Sequence, residues 1–465
     1  MNLKGRRLFV MKVIVVGSSH GGFETVRGIL TEHPETEIQW YEKGDFLSFL
    51  SCGMQLYLEG VVKDVNSVSY ATQKGMRAAG VHVFVEQEIT KVDPSTHKVH
   101  VVNHATGAER DEDYDKLVLS VGAVPTVLPV EGHSLKNIYG MRGRDWAIKL
   151  KARTVDPDIK NVVVIGAGYI GIEAAEVFAK AGKHVTIIDV LPRLLNLYLD
   201  EEFTEIITDE MLSHDIYPAT GQTVKRFEGQ SGKVKSVVTD QGEYPADLVI
   251  QAAGISANTA FLKNAIELDD HGLIKVDDYL QTSDKDIYAV GDATLVPFAP
   301  TGQNNRVALA TNARRQGRVA AKNIFGAEKP MPPVSGSSAL SVFQYHFAST
   351  GVKAGTSDKL GIETKSVLVQ DTVQPKFVAM ENGNAKVWFK LTYAPSDGRI
   401  LGAQILSKRD VTANINVISL AIQQKLKVSD LAYADFFFQP GFDRPWNIIN
   451  VAAQKAVVQL EKSNN

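Results

Sequence analysis

Cys52 is the only cysteine among 465 residues. One thiol cannot close an internal disulfide, so two-electron chemistry at this sulfur must cycle between the thiolate and a singly oxidised form such as sulfenic acid. The chain also lacks any apolar run approaching the roughly 18 residues that a membrane-spanning helix needs. Its opening, MNLKGRRLFVMKVIVVG, has too short an apolar part for a secretory signal. Nor is there an excess of either charge: 50 Lys and Arg stand against 53 Asp and Glu, a formal net charge of -3. That balance offers no footprint for a nucleic acid or an anionic membrane and leaves small molecules as the expected partners. A single cysteine agrees with a cytoplasmic protein, since structural disulfides are rare there.

What is present points to several α/β domains. Hydrophobic residues make up 44% of the chain and 37 residues are glycine, and the length exceeds what one core holds. Residues 1–10, with Lys4, Arg6 and Arg7 as solvated charges, read as an extension upstream of Met11. From there the pattern is strand over 12–16, the turn Gly17-Ser18-Ser19-His20-Gly21-Gly22, helix to about Leu30, and strand over 37–41 ending at Glu42. A tight glycine turn brings backbone amides to a pyrophosphate at a helix N-terminus, and an acid about 20 residues later accepts ribose hydroxyls. The pattern G-x-G-x-x-G is met in part, with Ser19 in the middle glycine position.

It recurs in full as strand 161–165, Gly166-Ala167-Gly168-Tyr169-Ile170-Gly171, a helix through about Ala181, and strand 185–188 leading to Asp189. A carboxylate at Asp189 repels a 2′-phosphate and favours NAD over NADP. A third apolar strand delivers Asp292 at its carboxyl end, facing a ligand crevice or capping the next helix. The spacing predicts a first nucleotide domain split by insertion of the second: 11–123 and 257–328 around 124–256. A linker near 329–338 then opens an α+β domain to 465, with a hairpin around Pro395-Ser396-Asp397-Gly398 and helices near 411–425 and 447–460. The aromatic run Phe436-Phe437-Phe438 reads either as core or as a surface for a second subunit. No metal-ligand spacing occurs.

Two nucleotide sites and a lone thiol about ten residues past Glu42 suggest an electron relay from nicotinamide through flavin to sulfur. Cys52, in Ser51-Cys52-Gly53-Met54, is expected near a helix start, where amides and the dipole favour the thiolate. The other reading is a small buried hydrophobe. His20 is a candidate proton donor or electrostatic stabiliser for peroxide cleavage, or a turn histidine bonded to backbone.

Val16-Gly17-Ser18-Ser19-His20-Gly21-Gly22, Gln39-Trp40-Tyr41-Glu42-Lys43-Gly44-Asp45, Phe49-Leu50-Ser51-Cys52-Gly53-Met54, Val290-Gly291-Asp292-Ala293-Thr294 and Phe436-Phe437-Phe438-Gln439-Pro440 together resemble the single-cysteine branch of the pyridine nucleotide-disulfide oxidoreductases. That branch holds NADH peroxidases and NADH oxidases. The resemblance runs from Met11 to about Lys455 and implies FAD, with NADH as co-substrate. It implies catalytic roles for Cys52 and His20, and FAD contacts from Gly17, Ser18, Ser19, His20, Gly21, Gly22, Glu42, Cys52, Ser120, Val121, Gly122, Ala123, Arg142, Asp292 and Ala310. For NAD it implies Gly166, Gly168, Ile170, Gly171, Asp189, Tyr198, Gly254 and Ala339. It also implies assembly through the C-terminal domain as a dimer or tetramer.

The leading expectation is an NADH peroxidase reducing H2O2 to water. A water-forming NADH oxidase is the near alternative, with a coenzyme A disulfide reductase and a non-catalytic redox sensor further off. The chain departs from the family pattern at Ser256 and Ala257, where a basic residue and proline are usual, and at Ala339, where glycine is expected.

Overall fold

The computed structural model describes residues 10–378 and 384–464, and the expected extension, apart from Val10, lies outside them. Two parallel sheets carry the glycine turns. The first has the order Ile287–Ala289, Lys116–Leu119, Lys12–Val16, Glu37–Tyr41, His82–Phe84. Its inner strands are apolar and buried along almost their whole length, as a sheet covered on both faces requires. Register sets Val16 opposite both Tyr41 and Leu119, and Leu119 opposite Ala289, so four carboxyl ends share one edge.

The second sheet repeats this geometry with Ile216–Thr220, His184–Asp189, Asn161–Ile165, Leu248–Gln251 and Ile138–Gly140. All its strands fall in sequence between Lys116–Leu119 and Ile287–Ala289, two paired neighbours of the first sheet.

Two three-stranded antiparallel meanders, spanning 87–113 and 224–245, were not predicted. Their strands carry charged residues on the open face, as in Glu109–Asp113, so no apolar run announces them. The C-terminal part is a five-stranded antiparallel sheet: Ser338–Val342, Tyr345–Gly351, Ile400–Ser407, Lys386–Tyr393, Lys365–Thr372. The expected hairpin is its Lys386–Tyr393/Ile400–Ser407 pair. Helices Asn414–Gln423, Val428–Ala432 and Ile448–Asn464 pack against it.

The stretch read as a linker is pinned in place. Met331 and Val334 are buried, and their amides donate to Asp278 O (2.7 Å) and Pro297 O (2.8 Å). One apolar cluster joins the segment after strand Glu37–Tyr41 (Phe49, Met54, Leu58) to the second sheet's helices and on to Phe347 and Leu406. Asp200, 4% exposed, fastens the same seam by accepting from Gln404 Nε2 (2.7 Å), Gly355 N (2.9 Å) and Lys390 Nζ (2.9 Å).

Candidate active site

Both glycine turns are forced by contacts a side chain would break. Gly17 has φ +92°, and a Cβ there would lie 2.3 Å from Ser120 O; Gly166, at φ +104°, would meet Ala252 O at 2.4 Å. One turn later Gly22 lies so close to Gly17 O, and Gly171 to Gly166 O, that added Cβ atoms would sit at 1.9 and 1.8 Å. The middle position is different. Ser19 (φ -75°, ψ -159°) and Gly168 (φ -81°, ψ -172°) share an extended conformation open to any residue, so serine fits there without strain.

The acids hold these turns alike. Glu42 Oε2 accepts from Ser18 N (3.1 Å) and Ser18 Oγ (2.7 Å), and its Oε1 from Gly44 N (2.9 Å). Asp189 accepts from Ala167 N (2.6 Å) and Leu191 N (2.8 Å). In each case the carboxylate sits at the strand end beside a helix start whose first amides have no intrahelical acceptor.

The expected FAD residues gather along the first sheet's edge. Residues 17–22, Glu42 and Ser120 follow three adjacent strands, and Asp292 follows the fourth. Val121 and Gly122 (φ +62°) lead into Ala123, which pairs with Ala257 in a two-stranded crossover to the second sheet. Arg142 reaches back across that crossover to Asp292 (2.7 Å), and Ala310 opens the helix Ala310–Asn323. The glycine cradle and the convergent acid and arginine fit a dinucleotide with a flavin, which would be held by these residues.

The NAD set surrounds the second edge. Tyr198 stacks on Tyr169 at 4.1 Å, beside Gly168. Gly254 (φ +96°) follows the strand Leu248–Gln251. Ala339 lies on the strand whose Ser338 Oγ is 2.7 Å from Tyr169 Oη. The departures at Ser256 and Ala257 are absorbed in the crossover, where Ser256 Oγ is 3.3 Å from Thr126 Oγ1.

Cys52 sits in a single 3₁₀ turn, Ser51–Gly53, ahead of a six-residue helix, Met54–Glu59. The expected lowering of the thiol is not found in the chain by itself. The residue is solvent-accessible, yet its sulfur is flanked closely enough that burial pushes the thiol up, and the Glu173 carboxylate adds to this, while Arg142 acts against it. So short a helix contributes too little dipole to reverse the effect.

His20, the first residue of helix His20–Glu32, is lowered to about 4 by burial and then by the Arg314 guanidinium. It is neutral at pH 7. Its Nδ1 lies 3.4 Å from Arg314 Nε, an obligate donor, so the proton belongs on Nε2. That atom is buried and has no hydrogen-bond partner among the described residues.

Arg314, Tyr70, Tyr169 and Glu173 were missed by sequence reasoning. Tyr169 lies inside the second glycine motif and could have been read there. Arg314 is 294 residues from His20, and no local pattern links them. Of the aromatic run, Phe436 packs on the C-terminal core, while Phe437 and Phe438 are 72% and 46% exposed. No helix among the described residues is long and apolar enough to cross a membrane.

Two successive dinucleotide cradles with a lone cysteine beside the first define a two-nucleotide oxidoreductase. The chain belongs to the pyridine nucleotide-disulphide oxidoreductase family: that family's model matches residues 11–317, and its dimerisation domain matches residues 337–447. The protein is an FAD-containing, NADH-dependent oxidoreductase. It is 39% identical over 453 residues to an NADH oxidase of Enterococcus faecalis, covering 97% of this chain and 100% of the relative. An NADH oxidase of Lactococcus lactis is 35% identical over 448 residues, covering 96% of this chain and 100% of that one. Among solved structures, the water-forming NADH oxidase from Lactobacillus brevis bound to NADH superposes with a TM-score of 0.94 at 35% identity, covering 98% of this chain and 100% of that one.

Proposed function

We propose that the protein is a water-forming NADH oxidase, with the net reaction 2 NADH + 2 H+ + O2 giving 2 NAD+ and 2 H2O. What supports this reading is His20 at the first glycine turn and Cys52 in the segment that follows Glu42, together with relatives named NADH oxidase that match 96–97% of the chain. FAD, held by the glycine turn, Glu42, the crossover and Asp292, would supply a two-electron acceptor between NADH and the oxidant.

The chain's own residues deal with peroxide. The Cys52 thiolate attacks one oxygen of H2O2, the O–O bond breaks, and the departing hydroxide takes a proton to leave as water, giving Cys52 sulfenic acid. One NADH and one proton then return it to the thiol with a second water. His20 donates a hydrogen bond from Nε2 to the departing oxygen. Asp189 turns away a 2′-phosphate and so selects NADH. With this reading go the division of the chain at 123, 256 and 328, a homo-oligomer formed through the C-terminal domain, and the site residues named above.

Sequence reading ranked NADH peroxidase first, and the unpartnered Nε2 of His20 suits that activity as well. The two separate in one assay. NADH consumption by the FAD-loaded protein is followed in air without peroxide, then anaerobically with H2O2. Fast oxygen uptake without peroxide release is expected. Turnover confined to the anaerobic peroxide arm would overturn the oxidase in favour of the peroxidase.

A further inference from the structure

Which oxidants reach Cys52 depends on what walls its surroundings, and three side chains from separate segments build one wall. Arg314 lies with its guanidinium carbon 3.9 Å from the centre of the Tyr70 ring and 5.2 Å from that of Phe23. The two rings stack at 5.6 Å and 22°. Tyr70 also meets His20 edge-on at 5.4 Å, and Arg314 is tethered on its other side to Glu24 at 3.4 Å.

The wall is tied to the cysteine loop through the backbone. Tyr70 N donates to Ser48 O (3.3 Å) and Leu50 N to Val68 O (3.1 Å). The Val68 side chain packs beside Gly53, where an added Cβ would come within 2.5 Å of its Cγ1. His20 meets the wall directly at Tyr70, and Cys52 is reached through its neighbour Gly53, against which the Val68 side chain lies, so the stack flanks both reactive residues on this side. Guanidinium–ring contacts of this kind are attractive and hold the three side chains together.

We propose that Phe23, Tyr70 and Arg314 form an aromatic–guanidinium wall that limits the Cys52 site to oxidants of the size of O2 and H2O2 and turns away bulky hydroperoxides and disulfides. This rests on the reading of Cys52 as the reactive sulfur. With an organic hydroperoxide the step balances as for H2O2: sulfur takes the terminal oxygen, the O–O bond breaks, and the alkoxide leaves as the alcohol with one proton.

The FAD-loaded protein is assayed anaerobically with NADH and either H2O2 or cumene hydroperoxide, with ferricyanide reduction showing that both nucleotide sites are filled. In parallel, Cys52 in the NADH-reduced protein is alkylated with iodoacetamide or with N-(1-pyrenyl)maleimide. Wild type should discriminate strongly against both bulky reagents, and Tyr70→Ala or Phe23→Ala should raise the bulky-to-small rate ratio by roughly tenfold, a loss of about 1.4 kcal/mol of exclusion. Tyr70→Phe should keep the wild-type ratio. Equal handling of cumene hydroperoxide and H2O2 by wild type, or an alkylation ratio unmoved in both alanine variants, overturns the wall. A protein that reduces ferricyanide but neither O2 nor H2O2 would sink the functional reading, while the alkylation ratio would still decide the wall.

Discussion

Arg142 Nη2 stands 2.7 Å from Asp292 Oδ2, and this pair acts with opposite signs on both reactive residues: the arginine lowers the Cys52 thiol and His20, and the aspartate raises both. The two charges oppose each other, and the largest charge effect after burial is a different one for each residue: Glu173 for Cys52 and Arg314 for His20.

For His20 this sets an expectation about pH. Its ordinary value near 6.5 falls to about 4, so it stays neutral and keeps its proton on Nε2 across the working range. The pH profile of kcat/KM for peroxide should therefore carry no ionisation that belongs to His20. His20→Ala should lower the rate by about tenfold or more through loss of the donor, and His20→Gln less, because its amide still donates, with neither moving the profile. A limb centred near 6.5 in wild type that disappears in His20→Gln would show that the imidazolium is the working form. The sign for stability follows from the same shift: an unfolded histidine takes up its proton more readily than the folded one, so acidification from neutral pH weakens the fold.

Glu173 titrates near neutrality. Burial first, then the Glu176 and Glu59 carboxylates, push it up to about 7. Lys180 neutralises its two neighbours, bonding Glu176 at 2.7 Å and Glu59 at 3.0 Å. As the pH rises through 7, Glu173 gains charge and makes the Cys52 thiolate harder to form. Glu173→Gln should let Cys52 ionise at a lower pH. The measurement is the pH dependence of iodoacetamide alkylation of the NADH-reduced holoenzyme; an unchanged or raised midpoint would remove Glu173 from control of the sulfur.

The parts of this architecture that the sequence announces are those governed by short-range rules. Gly17 and Gly166 are dictated by a positive φ and a close carbonyl, and Glu42 and Asp189 by a fixed distance from those turns, so both cradles can be read from spacing. Ser19 leaves the first pattern met only in part, and the structure shows the middle position has no backbone need for glycine. What could not be read depends on the third dimension. Arg314 stacks on Tyr70, which is 244 positions away, and the raised Cys52 thiol comes from neighbours on other segments. The expectation of a helix-activated thiolate failed because Met54–Glu59 is under two turns long.

Asp200 offers a test of how the second sheet is held to the C-terminal one. Burial pushes its carboxyl up, but the Gly355 amide and Lys390 outweigh this and hold it below the ordinary range. Removing the carboxylate strips Gly355 N and Gln404 Nε2 of their acceptor and leaves Lys390 with Glu202 at 2.6 Å. Asp200→Ala should cost about 3 kcal/mol, the range for breaking one side of a buried pair, and Asp200→Asn less, because the amide oxygen still accepts. A folded value held low means this stabilisation is complete above an unfolded aspartate's value of about 3.9 and fades as the pH falls through the folded one. Thermal unfolding of wild type and Asp200→Ala should therefore differ fully at neutral pH and converge only under strong acid. A gap already closed at neutral pH would show that the seam is held by the apolar cluster around Phe347 and Leu406 and not by this carboxylate.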